Sequence, residues 1–238
     1  TVKELMQLFT LAQIVNKLSY DLDIFDGDFI NLEAELPGYI NEAIDDAEAI
    51  IHKLYEDYFL SRTTISLVTD TAQYSLPSDI YSAKIRGIYY NDGTKKYEIK
   101  RIKKFSQLLN IDANSDEYSY LLLNNGATNT STGNFKVELQ PPSRETSASN
   151  VTIFYIRNAK RLSADSDYCD IPEFINFIYA HVKYNVAKKE KIGQDLNVTG
   201  TLLREQKILM EQVLSDMVPD EGNTIEGDMS FYSDFDDN

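Results

Sequence analysis

The chain has 238 residues, of which 42% are hydrophobic and 26% charged, a balance typical of a globular protein. Acidic residues outnumber basic ones by 38 to 23, and the net charge of −15 argues against a conventional nucleic-acid binder, because phosphate binding requires a basic surface. The single cysteine excludes an internal disulfide framework, and the sequence contains no apolar run of about 18 residues that would predict a membrane span.

Residues 1–62 are predicted to form an N-terminal helical part. Apolar residues recur every three or four positions over 2–19 and again from Gly38 to about Phe59, which is the period of amphipathic helices. Pro37 stands at the start of the second helix, where proline is tolerated. His52 falls beside the apolar stripe of that helix, and we interpret it as a boundary or interface residue.

Residues 63–162 are predicted to form a β insert. Short segments of alternating apolar and polar residues are separated by turn signals, among them the Asn-Asp-Gly-Thr sequence at 91–94, which favours a hairpin. Such spacing indicates a small antiparallel sandwich or barrel. The predicted strands are Thr63–Val68, Gln73–Leu76, Ala83–Tyr90, Lys96–Ile102, Tyr118–Leu123, Phe135–Leu139 and Val151–Arg157.

Residues 163–218 return to a helical pattern. One helix is predicted to start at Asp170 to Glu173, with proline in its first turn, and to stop near Gly193. A second is predicted to be capped by Thr199 and to end at Pro219. The predicted fold class is therefore α+β: N- and C-terminal helices form an α-helical bundle, and an antiparallel β-sandwich or barrel is inserted between them.

A basic run interrupts this acidic chain. Its functional interpretation is contact with an acidic protein partner or with DNA, and its structural interpretation is a solvated edge strand that carries lysine to block unwanted pairing. In so acidic a chain we favour protein contact. The run consists of Lys95, Lys96, Lys100, Arg101, Lys103 and Lys104.

Residues 219–238 form an acidic tail with seven acidic residues and no basic one. Such a composition does not bury enough apolar surface to order itself. It nevertheless carries three aromatic residues that would serve as anchors, Phe231, Tyr232 and Phe235. We therefore predict that the acidic tail docks on a neighbouring protein chain, and we count these three residues among the interface residues.

The sequence carries no signature of known catalytic chemistry. It lacks a glycine-rich phosphate loop and the common hydrolase, kinase and zinc motifs. The acidic loop from Tyr20 to Phe29 fails the calcium-loop pattern, because Phe25, Asp26 and Leu32 occupy positions five, six and twelve. We predict no enzyme, no catalytic residue, no cofactor and no metal. Two alternatives stay open: a sandwich that binds carbohydrate or a host receptor, and an enzyme that uses a carboxylate pair.

Several short motifs along the chain carry a resemblance. They are Tyr74-Ser75-Leu76-Pro77-Ser78-Asp79 with the strand Ile85–Tyr90, then Leu139-Gln140-Pro141-Pro142, Val151–Arg157 with a following Leu162, and Asp170–Ile175. Together with the order of helices and strands, they resemble the head–tail connector, or adaptor, proteins of tailed bacteriophages. Particularly similar are the tubular adaptors of short-tailed phages and the ring proteins of crAss-like phages. The resemblance covers roughly residues 1–217.

This resemblance implies a structural virion protein that has no catalytic residues. It implies a homo-oligomeric ring, commonly of twelve copies, mounted below the portal and in contact with the portal protein and adjacent tail or ring proteins. Genomic DNA would pass through the lumen without sequence-specific binding during ejection, and no membrane would be involved. The expected location is the head–tail junction of the virion, after assembly in the host cytoplasm.

Overall fold

The computed structural model describes residues 8–23, 35–108, 111, 115–124, 135–190 and 193–218. The chain divides into two compact units. The helical unit comprises Thr1–Tyr55 and Ser163–Asn238, and the β unit comprises Glu56–Leu162. The predicted α+β fold class is confirmed, because helices from both ends of the chain flank a central region of strands.

Five helices lie in the described part of the chain: α1 (Leu11–Leu22), α2 (Glu35–Leu54), α3 (Phe105–Leu108), α4 (Ile175–Glu190) and α5 (Gly193–Met217). All except α3 belong to the helical unit, where α4 packs against α1, α2 and α5. The apolar stripe of α2 is largely buried as predicted, whereas α1 buries Leu11, Ile14 and Leu18, and Leu8 of the predicted first helix is 50% exposed. The helix α4 is buried on most of its circumference. The centre of the helical unit is therefore α4, a helix from the C-terminal half of the chain.

Several predicted helix boundaries are wrong. The first helix, predicted over residues 2–19, begins at Leu11 after the capping residue Thr10 and ends at Leu22. Gly193, expected to end a helix, is the first residue of α5, and Thr199, expected to cap α5, lies inside it. The Thr199 hydroxyl donates a hydrogen bond to the Asp195 carbonyl oxygen at 2.6 Å, which satisfies it within the helix instead of at its start. The second predicted helix also shifts: α2 begins at Glu35, and a short 3₁₀ turn at Glu56–Phe59 follows it.

The β unit consists of two four-stranded sheets that share one core. Its strands are β1 (Leu60–Leu67), β2 (Gln73–Ser75), β3 (Ile80–Asn91), β4 (Lys96–Glu98), β5 (Lys100–Arg101), β6 (Ser119–Asn124), β7 (Phe135–Gln140) and β8 (Ser147–Arg157). One sheet has the order β1-β8-β3-β4 and the other the order β2-β7-β6-β5. All pairings are antiparallel except that of β5 with β6, which is parallel.

The predicted hairpin across residues 91–94 joins β3 to β4. The Asp92 carboxylate accepts hydrogen bonds from the backbone N–H groups of Thr94 and Lys95, at 2.8 and 2.6 Å. Gly93 has a φ of +91°, a conformation that favours glycine. The turn chemistry that the sequence indicated therefore forms, and it fixes the register in which Tyr90 lies opposite Tyr97.

Candidate assembly surfaces

The predicted strand Lys96–Ile102 is divided at Ile99, and its two parts join different sheets. β4 is the edge strand of one sheet and β5 the edge strand of the other. Ile99 between them is buried, and its backbone N–H donates to the Ile88 carbonyl oxygen at 2.8 Å. A continuous strand was the wrong prediction because alternation of side chains does not reveal that the chain crosses from one sheet to the other at a single residue.

The basic run follows this double edge, and we call its six residues the basic edge: Lys95, Lys96, Lys100, Arg101, Lys103 and Lys104. All six are exposed. Among the described residues, only Lys95 of the six has an ion-pair partner, Asp116, at 3.1 Å. The Gln107 side-chain oxygen accepts hydrogen bonds from the backbone N–H groups of Lys103 and Lys104, at 3.0 and 3.1 Å. These two bonds fix the bend after β5. As far as the described residues show, the other five positive charges therefore face solvent along the edge of the β unit.

The three aromatic interface residues predicted in the acidic tail, Phe231, Tyr232 and Phe235, lie outside the described residues. Their docking role stays a prediction, as does the role of the basic edge as an interface.

A second candidate surface lies on α5, and the sequence-based interpretation missed it. Met210 and Leu214 are buried against the helical unit, whereas Val198, Leu209 and Val213 are 65%, 51% and 41% exposed. With the half-buried Leu202 they follow one another at intervals of four, seven and four residues, which places them along one side of the helix. We call Val198, Leu202, Leu209 and Val213 the α5 stripe. The apolar residues of this helix were visible in the sequence, but the sequence does not show which of them the fold leaves exposed.

A third surface lies on the outer face of the β1-β8-β3-β4 sheet. Leu60 and Tyr89 are 48% and 45% exposed, and the Tyr89 ring meets Phe154 edge-on with centroids 5.7 Å apart. A Cβ atom at Gly87 would lie 2.8 Å from the Tyr89 ring, so the absence of a side chain there lets the ring lie against the sheet.

Charged residues border this exposed apolar surface. Arg86 contacts the carboxylates of Glu56 and Asp57 at 2.7 and 2.6 Å, and Lys84 also pairs with Glu56. These residues are about 30 positions apart in sequence, which is why pattern reasoning did not bring them together. The cluster anchors the 3₁₀ turn at Glu56–Phe59 to β3.

Polar contacts fix the helices within the helical unit. Lys183 on α4 donates to Asp21 of α1 at 2.7 Å, and this bond lowers the pKa of Asp21. His181 of α4 lies 2.9 Å from Asp46 of α2, and Asn185 donates to Glu42 at 3.2 Å. His181 therefore has a structural role between two helices.

Few features of the described residues fit the two alternative functions, a sandwich that binds carbohydrate or a host receptor and an enzyme that uses a carboxylate pair. Tyr90 and Tyr118 are buried and Tyr90 stacks on Tyr97 at 5.1 Å, so this tyrosine cluster packs the core and presents no open ring face to a ligand. Within the described ranges, the buried polar residues are Ser143 and His181, with no pair of buried carboxylates and no metal-ligating cluster. Burial raises the pKa of the Cys169 thiol to about 11, which keeps it protonated at neutral pH.

A comparison with protein families identifies the chain. The model of the SU10 adaptor protein family matches residues 9–218, which includes the strands of the β unit and all of the described helices. The chain belongs to the SU10 adaptor protein family. It is a phage head–tail adaptor by family, which indicates a structural role in the virion and association with other virion proteins.

Two further findings concern this SU10 adaptor. No curated protein matches it. Among its described helices, none is both long enough and apolar enough to cross a membrane.

Proposed function

We propose that this SU10 adaptor forms a homo-oligomeric ring of about twelve copies, mounted below the portal at the head–tail junction, through which the genome passes. Family membership over residues 9–218 is the observation that carries this proposal. The partners in this arrangement are the portal protein and the adjacent tail or ring proteins. The ring assembles in the host cytoplasm and acts in genome ejection without sequence-specific DNA contacts.

The α5 stripe supports self-association. Exposed apolar side chains that follow one side of a 25-residue helix favour burial against another helix, because apolar burial is the main driving force of association. A second copy of the chain presents the same stripe together with the rest of its helical unit. We therefore assign the α5 stripe to the contact between neighbouring copies.

The net charge supports a conduit for DNA. A ring of about twelve copies would carry a charge of about −180, and an acidic lumen repels the DNA backbone and so lets it slide. The same charge opposes assembly unless neighbouring copies interleave opposite signs. Five of the six cations of the basic edge have no ion-pair partner among the described residues, so the basic edge is suited to face acid on another chain.

Electron microscopy of the chain mixed with its cognate portal protein tests this proposal, with native mass spectrometry to count the copies. We expect rotationally symmetric rings on one end of the portal, formed with the portal and absent when an unrelated dodecameric protein replaces it. A chain that stays monomeric in the presence of the portal, or that is found in virions only at a site away from the head–tail junction, would refute it.

A further inference from the structure

We propose that the acidic tail of one copy, residues 219–238, binds the basic edge of a second copy. The inference rests on the proposed ring and deepens it, because it names a second contact, besides the α5 stripe, that joins one copy to the next. It requires only two copies of the chain.

Charge complementarity selects these two partners. The acidic tail holds seven carboxylates and no cation, whereas the basic edge holds six cations within ten residues, of which only Lys95 has an ion-pair partner among the described residues. Opposite charges attract strongly once the surfaces come together and water is partly excluded. No other stretch of ten residues in the sequence holds as many basic residues as the basic edge.

The topology of the β unit provides the binding geometry. Since β4 and β5 are the edge strands of their sheets, neither has a further strand on its outer side within the described residues. An extended segment adds to such an edge through backbone hydrogen bonds, and side chains at alternate positions provide the specificity. Acidic residues of the tail would meet lysines, and Phe231, Tyr232 and Phe235 would supply the apolar anchors.

A contact between two different surfaces explains ring formation. Each copy offers one tail and one basic edge, so the contact is heterologous, and heterologous contacts propagate from copy to copy until a ring closes. It also places seven of the negative charges of each copy against cations of the next. Like-charge repulsion between neighbours is thereby replaced by attraction, which salt weakens.

Zero-length carbodiimide cross-linking of the full chain tests this contact, because the reagent joins a carboxylate directly to an amine. Equal amounts of unlabelled and ¹⁵N-labelled chain are mixed, cross-linked at low salt and analysed by mass spectrometry. We expect tail peptides joined to lysines of the basic edge, with one partner labelled and the other unlabelled. Cross-links found only within chains of one label, only to lysines elsewhere, or not at all would overturn the proposal.

A matched pair of variants separates a specific contact from general charge. In the double variant Lys100→Glu/Lys103→Glu, mixed-label cross-links at the unchanged Lys95, Lys96 and Lys104 should fall about five- to ten-fold, since two attractive pairs become repulsive. The control Lys53→Glu/Lys188→Glu changes the charge equally at exposed lysines of the helical unit and should leave these cross-links unchanged. An equal loss of mixed-label cross-links in both double variants would overturn the proposal.

The outcome is distinct from that of the portal experiment. Rings on the portal without mixed-label cross-links would remove this inference and leave the proposed function standing. Cross-links between copies without rings on the portal would remove the proposed function and leave the contact standing.

Discussion

Replacing Leu209 with serine should weaken the association of copies and leave the chain folded. The Leu209 side chain is 51% exposed, so about half of its surface remains to be buried in a contact. Full burial of a leucine is worth about 1.5–3 kcal/mol, and half of that is about 1 kcal/mol, or about five-fold in the dissociation constant. Adding Val213→Ser should raise the loss to about 2 kcal/mol, or about 30-fold.

Ile208 offers a matched control for this variant. It is 54% exposed and adjacent to Leu209, but it points about 100° away around the helix and so lies off the α5 stripe. Ile208→Ser should lower the free energy of unfolding about as much as Leu209→Ser, with no effect on association. Sedimentation of the portal-bound assemblies, alongside thermal unfolding of the free chains, measures both effects. Equal assembly by the two variants would refute the assignment of the α5 stripe.

Three further predictions concern the β unit and the acidic tail. Ile153→Ala in the buried face of β8 should lower the free energy of unfolding by about 2–5 kcal/mol, whereas Thr152→Ala on the opposite face should lower it by about 0.5 kcal/mol. Chemical denaturation followed by circular dichroism measures both losses, and equal losses would contradict the prediction. Burial raises the pKa of Tyr97 to about 12, so the folded state holds its proton more tightly, and stability present below pH 10 is lost as the pH rises towards 12. In Tyr97→Phe, the free energy of unfolding should therefore fall less steeply between these pH values. An unchanged slope of this free energy against pH would exclude Tyr97 as the cause of the loss. Deleting residues 219–238 should leave a folded chain that no longer enters particles; normal incorporation of the truncated chain would count against a docking role for the tail.

Local patterns in the sequence predicted the fold class because each element carries its own signal. The stripe on α2 and the turn at Asp92–Thr94 depend only on nearby residues, and both form as expected. The start of α5 was wrong because threonine near a helix start is an ambiguous signal. Thr199 bonds to the carbonyl oxygen four residues before it and continues the helix instead of capping it.

The candidate surfaces were harder to predict because they depend on what the fold covers. The sequence shows the apolar residues of α5 but not which of them are covered, and only Met210 and Leu214 of this helix are buried in the described chain. The ion cluster around Arg86 joins residues that are distant in sequence and have no periodic signal. The basic run was visible, whereas its position on the edges of both sheets follows only from the crossing at Ile99.

The pairing of β1 with β8 has a consequence for folding. Contacts between α2, which ends at Leu54, and α4, which begins at Ile175, close a loop of about 120 residues. The entropic cost of such a closure grows as (3/2)RT ln n. Once Leu60 lies opposite Ile156, the open part of that loop shrinks to about 25 residues, which lowers the cost by about 1.4 kcal/mol. A β unit that folds first therefore brings the two halves of the helical unit close together, so that α2 and α4 pack at a lower entropic cost.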